Sequence, residues 1–516
     1  MDWTQGYVNQ IDYTHGYYGE LSPALIEFAC LSRGVSTRSS GKPVRYLELG
    51  FGQGSSLCVH AAACPGEFWG TDFLPAHACN AQSLAQASQR DVRIFDDSFE
   101  ELLERGLPEF DVIVAHGIWS WISAENRKVI VDIARRKLAP GGVFYVSYNC
   151  LPGAARELPL RHLLKLHTDV ASPSAAEIAS KIDASLDFVQ TLIDAGSSYF
   201  NEQPDLKKLV EQLRGKNHGY IAHEYLNRDW HPTPFADVAR ELTLAKLEFA
   251  TSASLLHHLD GAGAPEKARK LLNETKQPIV RETIRDYLTN QRFRRDLFVK
   301  GLRPIAPALR AERLENTCFV LLAPPEHLRR KLTFPYGQAE LNQEVHAALI
   351  AAFAQDSFAP KSLQFLRHSP LCKGIHPGMF LQAIRLLIGA GQLHPVQAEG
   401  ASTQAAASSQ ALNLHVLQRS TLWKEELTPV LASPVTGSGI PVSHEHALFL
   451  HARSLGLNTS MEWAQHAVSR QAALGLQLIR DGEPISDPQE NLAQLQRDAD
   501  EFAKTSLPLL QALRVA

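Results

Sequence analysis

A short strand that runs straight into a glycine turn and then a helix constrains this chain most. Val44–Leu49 alternate as a strand does, Gly50-Phe51-Gly52-Gln53-Gly54 follow at once, and residues 55–64 are rich in Ala, Leu and Val. Glycine carries no Cβ, so such a turn bends sharply and lets a ligand approach the backbone closely. The spacing is G-x-G-x-G, not the G-x-G-x-x-G of dinucleotide-binding folds. The pattern then continues, with strands at 68–73, Val92–Phe95, 111–115 and 143–148 and helices at 76–87 and 127–138. Strands alternating with helices over short loops predict βαβ units and a parallel sheet. In such sheets ligands sit outside the C-terminal ends of the strands.

Those ends are where the polar residues gather. Glu48 precedes the glycines and Asp72 closes the second strand, about twenty residues on, where an acid holds a ribose diol. Asp96-Asp97-Ser98 close the third strand, and His116-Gly117-Ile118-Trp119-Ser120-Trp121 follow the fourth. Residues 44–150 thereby resemble the class I S-adenosylmethionine-dependent methyltransferases. The resemblance implies an α/β, Rossmann-like sheet, S-adenosylmethionine as methyl donor and S-adenosylhomocysteine as its product. It aligns Glu48, Gly50, Gly52 and Gly54 with the first cofactor motif. Asp72, with Phe73, takes the ribose position, and Asp97, Ser98 and Phe99 the adenine position. His116 takes the position facing the methyl group. Tyr18, with Tyr13 and Tyr17, belongs to an N-terminal segment expected either to close over the cofactor or to pack on the sheet.

Longer stretches narrow the resemblance. Tyr17-Tyr18-Gly19-Glu20-Leu21-Ser22-Pro23, Ser147-Tyr148-Asn149-Cys150-Leu151-Pro152-Gly153, His223-Glu224-Tyr225-Leu226 and Arg294-Arg295-Asp296-Leu297-Phe298-Val299-Lys300-Gly301 look like a bacterial methyltransferase subfamily with an appended regulatory region. Its best-understood members are rickettsial protein-lysine methyltransferases acting on outer-membrane proteins. The resemblance implies transfer to an amine, with a protein lysine as the first expectation. The alternatives are a small-molecule N- or O-methyltransferase and a non-enzymatic winged-helix regulator.

Four residues are candidates at the acceptor. His116 and Trp119 follow strand four, and Tyr148 and Asn149 end strand five, where their polar heads can hold an acceptor nitrogen. The opposing reading makes the tryptophans a cover for the sheet edge. An Asn-Pro-Pro-Tyr motif is absent, which argues against an adenine or glutamine acceptor. His223-Glu224-Tyr225 is a reserve acceptor site. It is not a zinc helix, because Asn227 stands where H-E-x-x-H needs histidine. No metal is expected: the seven cysteines show no C-x-x-C pair, and His444-Glu445-His446 with His451 reads as a helix start. The arginines at 281, 285, 292, 294, 295 and 303 alternate with Glu282, Asp286 and Asp296, which predicts a salt-bridged helix face.

The 516 residues allow roughly three domains. The expected division is a catalytic domain at 1–155 and 216–258, interrupted by a helical insertion at 156–215. Residues 218–230 read as extended. A helical regulatory segment at 259–330 follows, then a winged-helix-like module at 331–397, a linker at 398–410 and a helical module at 411–516. Net charge is −4, and no segment has the basic field of a nucleic-acid binder, so nucleic acid is not an expected partner. No run approaches ~18 apolar residues, so no membrane span is expected. With no leader-like start, the chain reads as cytoplasmic. The expected partner is the acceptor, protein or small molecule, with a homodimer left open.

Overall fold

The computed structural model describes residues 6–7, 16–38, 42–171, 177–259, 263–334, 336–422, 428–476, 479–480, 483–484 and 487–516. Tyr13 lies outside them. Seven strands form one sheet: β1 Val44–Leu49, β2 Gly66–Thr71, β3 Val92–Phe95, β4 Phe110–Ala115, β5 Leu138–Asn149, β6 Leu247–Ser252 and β7 Phe293–Lys300. Their spatial order is β3-β2-β1-β4-β5-β7-β6. Strands β1 to β5 are parallel, and β7 runs antiparallel between β5 and β6. β4 is buried from Val112 to Ala115, as a strand covered on both faces must be.

Side chains alternate across the sheet and divide the core in two. Val44, Tyr46, Val143 and Tyr145 face the helices α1 Pro23–Arg33, α2 Ser55–Ala63 and α3 Pro75–Ala87. Leu47, Leu49, Phe144, Val146 and Tyr148 face α5 Ala124–Lys137 and the helix Phe235–Thr243. The first layer is continuous with buried residues from Phe319 to Val515, so the C-terminal third of the chain is built onto the α1–α3 face. A separate core fills the insertion, from Leu160 to Leu226.

Four expectations need correcting. β7 was expected as part of a helical arginine-rich segment, but it pairs along its length with β5 and β6. Arg295 stays partly exposed on Glu20, but its neighbour does not. Arg294 is buried against Glu282 (3.0 Å), Asp286 (2.5 Å) and Asp296 (2.7 Å), and the ion network disguises a central strand. The sheet therefore extends past 258, into the segment assigned to the regulatory helices. Most of the segment 218–230 is not extended. His218–Ile221 and Ala222–Leu226 are helical turns, and Ile221, Ala222, Tyr225 and Leu226 recur at helical spacing to fill the insertion core.

The Ala/Ser-rich stretch at 398–410 is no linker but the first half of a helix, Glu399–Ser420. Its small residues let it lie close on α2, where Ser408 Oγ donates to the Ala62 carbonyl at 2.7 Å. In the 331–397 module, helix, strand, helix, helix and strand follow in winged-helix order. The third strand, however, comes from upstream: Cys318–Leu321 pairs with both Lys361–Ser362 and Leu393–Pro395. After Leu393–Pro395 the chain enters the helix Glu399–Ser420 directly, so the place of a wing hairpin is taken by that helix. Among the described residues, no helix is long and apolar enough to cross a membrane.

Candidate active site

The glycine turn does two jobs. A Cβ at Gly50 would stand 2.7 Å from Ile118 Cγ2, and one at Gly54 would stand 2.4 Å from Ala81 Cβ, so packing demands both glycines. Gly52 differs: its φ is +58° and nothing lies within 4 Å of its Cβ position. That opening is a cradle in which a ligand can approach the backbone. Asp72 fixes the turn to the end of β2. Its carboxylate accepts from Gly52 N (2.8 Å) and Leu74 N (3.1 Å) and pairs with His77 Nδ1 (3.1 Å). About one of its four lone-pair sites is left for a ligand hydroxyl. Beneath the turn Glu48 is buried, accepts from Tyr46 Oη at 3.2 Å, and is pushed up to about 8 by burial, with Asp72 adding to the rise.

The adenine-position residues are already engaged. Both oxygens of Asp97 face Arg105, through Nε and through Nη2 at 2.8 Å. Ser98 caps the helix α4 Phe99–Glu104, accepting from Glu101 N (3.3 Å) while its own N donates to Glu101 Oε2 (2.8 Å). Phe99 packs on the α5-side core. Phe73, after Asp72, meets the Tyr7 ring edge-on at 5.6 Å. Sequence reasoning missed Tyr7. It also lies 5.2 Å from the His223 ring, and both Asp72 and Glu224 act on its phenol, which burial pushes well up. Tyr7 therefore links the end of β2 to the Ala222–Leu226 turn.

His116 sits at the centre of the strand ends. Its Nδ1 lies 2.8 Å from Tyr145 Oη and 3.3 Å from Ser147 Oγ, and the Tyr18 ring lies against it, tilted by 35°, at 3.9 Å. Burial, with Arg295 adding to it, holds its pKa down at about 3, so the ring is neutral and a weak base at ordinary pH. Tyr18 N donates to Ser56 Oγ (2.9 Å), and Tyr17 Oη bonds Ser438 Oγ (2.7 Å), which ties this strap to the C-terminal hairpin.

Tyr148 and Trp119 do not join His116. One step along β5 turns Tyr148 to the opposite face from Ser147, where it is 1% exposed and donates to Asp296 Oδ2 at 2.7 Å. Trp119 is fully buried in the same layer. Asn149 closes β5 at its C-terminal end, with Oδ1 accepting from Trp230 Nε1 at 3.0 Å. Trp230 lies 5.9 Å from Trp121. Tyr148→Phe should lower stability by roughly 1–3 kcal/mol, because buried Asp296 loses a donor. Denaturant unfolding checks it, and an unchanged midpoint would contradict the assignment.

Burial, opposed by Arg292 and Arg161, pushes Glu224 up to about 7, in reach of Tyr7 and Tyr225. In the sequence this turn stood out as His223-Glu224-Tyr225, the reserve acceptor site. Among the described residues, no cluster of histidine, cysteine or acid side chains could hold a metal ion.

Known proteins agree with this geometry. A family model for a methyltransferase domain matches residues 47–144. A second, described as a predicted methyltransferase regulatory domain, matches 217–300, the segment that supplies β6 and β7. The uncharacterized protein sll1526 of Synechocystis sp. is 35% identical over 518 residues, covering 100% of both chains. A tRNA (guanine-N(7)-)-methyltransferase of Sodalis glossinidius is 30% identical over 135 residues, 24% of this chain and 54% of that one. The solved structure of PKMT2 from Rickettsia typhi in complex with AdoHcy shares the fold across 98% of this chain and 99% of its own, at TM-score 0.70 and 17% identity. With the seven-strand order, the open glycine cradle and the acid at the end of β2, these matches place the chain in the family of S-adenosylmethionine-dependent methyltransferases that carry a methyltransferase regulatory domain.

Proposed function

We propose that this enzyme methylates an amine, a protein lysine side chain first, with His116 on the cofactor side and Glu224 on the acceptor side. The observation that carries the reading is the Ala222–Leu226 turn, tied to the end of β2 by Tyr7 between Phe73 and His223, and carrying Glu224, which burial pushes up to about 7. Structural likeness over 98% of the chain to PKMT2 from Rickettsia typhi supports the same reading.

S-adenosylmethionine, when bound, supplies a methyl group already activated on a sulfonium. The protein's share is to hold, orient and exclude water. Gly50, Gly52 and Gly54 would cradle the donor. Asp72, with Phe73, would hold its ribose, and Glu48 would sit beneath. Asp97 reaches the adenine position by exchanging its bond to Arg105, Ser98 through its backbone, and Phe99 by packing. Tyr18 and neutral His116 would wall the methyl-facing side. His116 is a positioning group here, not the base.

An amine must be neutral to attack. A lysine at pKa ~10.4 costs about 4.6 kcal/mol to deprotonate at pH 7. The aromatic surroundings of Tyr7, Trp121 and Trp230 lower that cost by disfavouring the ammonium form. Glu224, half ionised near neutrality, takes the proton. Asn149 helps to set the rim through Trp230.

Asp72→Ala should weaken S-adenosylhomocysteine binding by roughly 1–3 kcal/mol, through the lost acceptor and the loosened turn. Calorimetry giving wild-type affinity would move the ribose elsewhere. The acceptor itself is tested by transfer of tritiated methyl from S-adenosylmethionine into a soluble proteome. Acid-precipitable counts that map to lysine are expected, and counts confined to small molecules would overturn the protein-lysine reading.

A further inference from the structure

One buried cation, where the insertion meets the end of β5, is left without an ion-pair partner. Arg161, in the helix Leu158–Leu166, is 7% exposed, yet no carboxylate lies within ion-pair distance of it among the described residues. Its one hydrogen bond runs from Nη2 to the Asn227 carbonyl, and Nε is buried with no partner. The guanidinium lies over the rings of Trp230 (5.3 Å) and Trp121 (5.7 Å), the tryptophans that meet beside Asn149 at the end of β5. The nearby acids do not neutralise it. Asp229 is held by Arg228 (2.9 Å) and His231 (3.2 Å), and Glu224 acts on Arg161 from beyond contact distance.

A buried charge with no partner is costly, and a ligand that supplies the partner relieves that cost. Guanidinium is suited to carboxylates, and aromatic faces hold its plane without satisfying its N–H groups. We infer that Arg161, steadied by Trp121 and Trp230, binds a carboxylate of the methyl acceptor next to the amine that is methylated. In a protein acceptor this is an Asp or Glu close in sequence to the target lysine. In a small acceptor it is the molecule's own carboxylate. The same cation disfavours the ammonium form of the neighbouring amine, so recognition and deprotonation reinforce one another.

This inference rests on the amine-acceptor reading, and its test separates the two. Wild-type enzyme and Arg161→Gln are each given S-adenosylmethionine with a deuterated methyl group and a soluble proteome, and labelled atoms are mapped by mass spectrometry. The expected result is label on lysines with an acid within about three positions, lost by at least tenfold in Arg161→Gln while S-adenosylhomocysteine affinity holds. Arg161→Lys should retain part of the activity through its charge. Because Arg161→Gln could fail to fold, wild-type enzyme is also tested on one labelled peptide with its flanking acid changed to the amide. KM should rise about tenfold or more with kcat less affected, and Arg161→Gln should not distinguish the two peptides. Labelled lysines without nearby acids, or equal KM for acid and amide, would overturn the Arg161 assignment and leave the lysine reading standing. Label only in small molecules would overturn the lysine reading. The Arg161 assignment would then stand if those molecules carry a carboxylate and fall if they do not.

Discussion

Gly52→Val should abolish S-adenosylhomocysteine binding and leave a folded protein. The position has φ of +58°, where a β-branched residue is strained, and its Cβ direction is open. The strain costs on the order of 1–3 kcal/mol, tolerable for a chain of this size, so unfolding should remain cooperative. The branched side chain then fills the opening through which a ligand reaches the backbone. Gly50 and Gly54 make poorer tests, since a Cβ there meets Ile118 or Ala81 and disturbs packing first. Calorimetry should show no binding heat for the variant beside an unchanged circular dichroism spectrum. Wild-type affinity would mean that Gly52 only shapes the turn.

Much of the sheet was legible because its signals are local. Val44–Leu49 with its glycine turn, the apolar run through Ala115 and the acid at Asp72 each declare themselves within a few residues. β7 was hidden because its evidence is long-range. Arg294 and Asp296 look like a solvated face until Glu282 and Asp286, from the preceding helix, are seen to close the network around them. The helix Glu399–Ser420 was misread for a related reason. Its Ala and Ser residues look like a linker, and only their contact with α2 explains why they are small.

The cofactor side was more readable than the acceptor side. Gly52 and Asp72 stand together as their spacing implied. His116 follows β4 as the sequence implied, but its neutral, hydrogen-bonded state depends on Tyr145 and Ser147, one strand away. Tyr148 was the wrong neighbour by a single residue, which on a strand means the wrong face. Glu224, Arg161, Trp230 and Tyr7 come from three distant segments, and no spacing rule joins them. Only side-chain contacts tie these segments together: Tyr7 bridges Phe73 and His223, and Arg161 lies over Trp230.

Glu224→Gln should lower the rate of methyl transfer by about 10²- to 10⁴-fold, the usual loss when a positioned base is removed. The amide keeps the shape of the side chain and cannot take a proton, so S-adenosylhomocysteine affinity should barely change and serves as the control. The sign of the pH effect follows from the raised pKa of about 7. Below it the carboxyl is protonated and cannot act, and above it the carboxylate is available, so the wild-type rate should climb as pH passes through about 7. In the variant that limb disappears and only the acceptor's own ionisation, at higher pH, remains. The decisive measurement is the single-turnover rate of wild type and Glu224→Gln from about pH 5 to about pH 9 on the mapped acceptor. A rise through about 7 in the wild type that is missing from a much slower variant is the result predicted here. An equally fast variant, or the same limb in both proteins, would contradict the assignment of Glu224 as the group that frees the amine for attack.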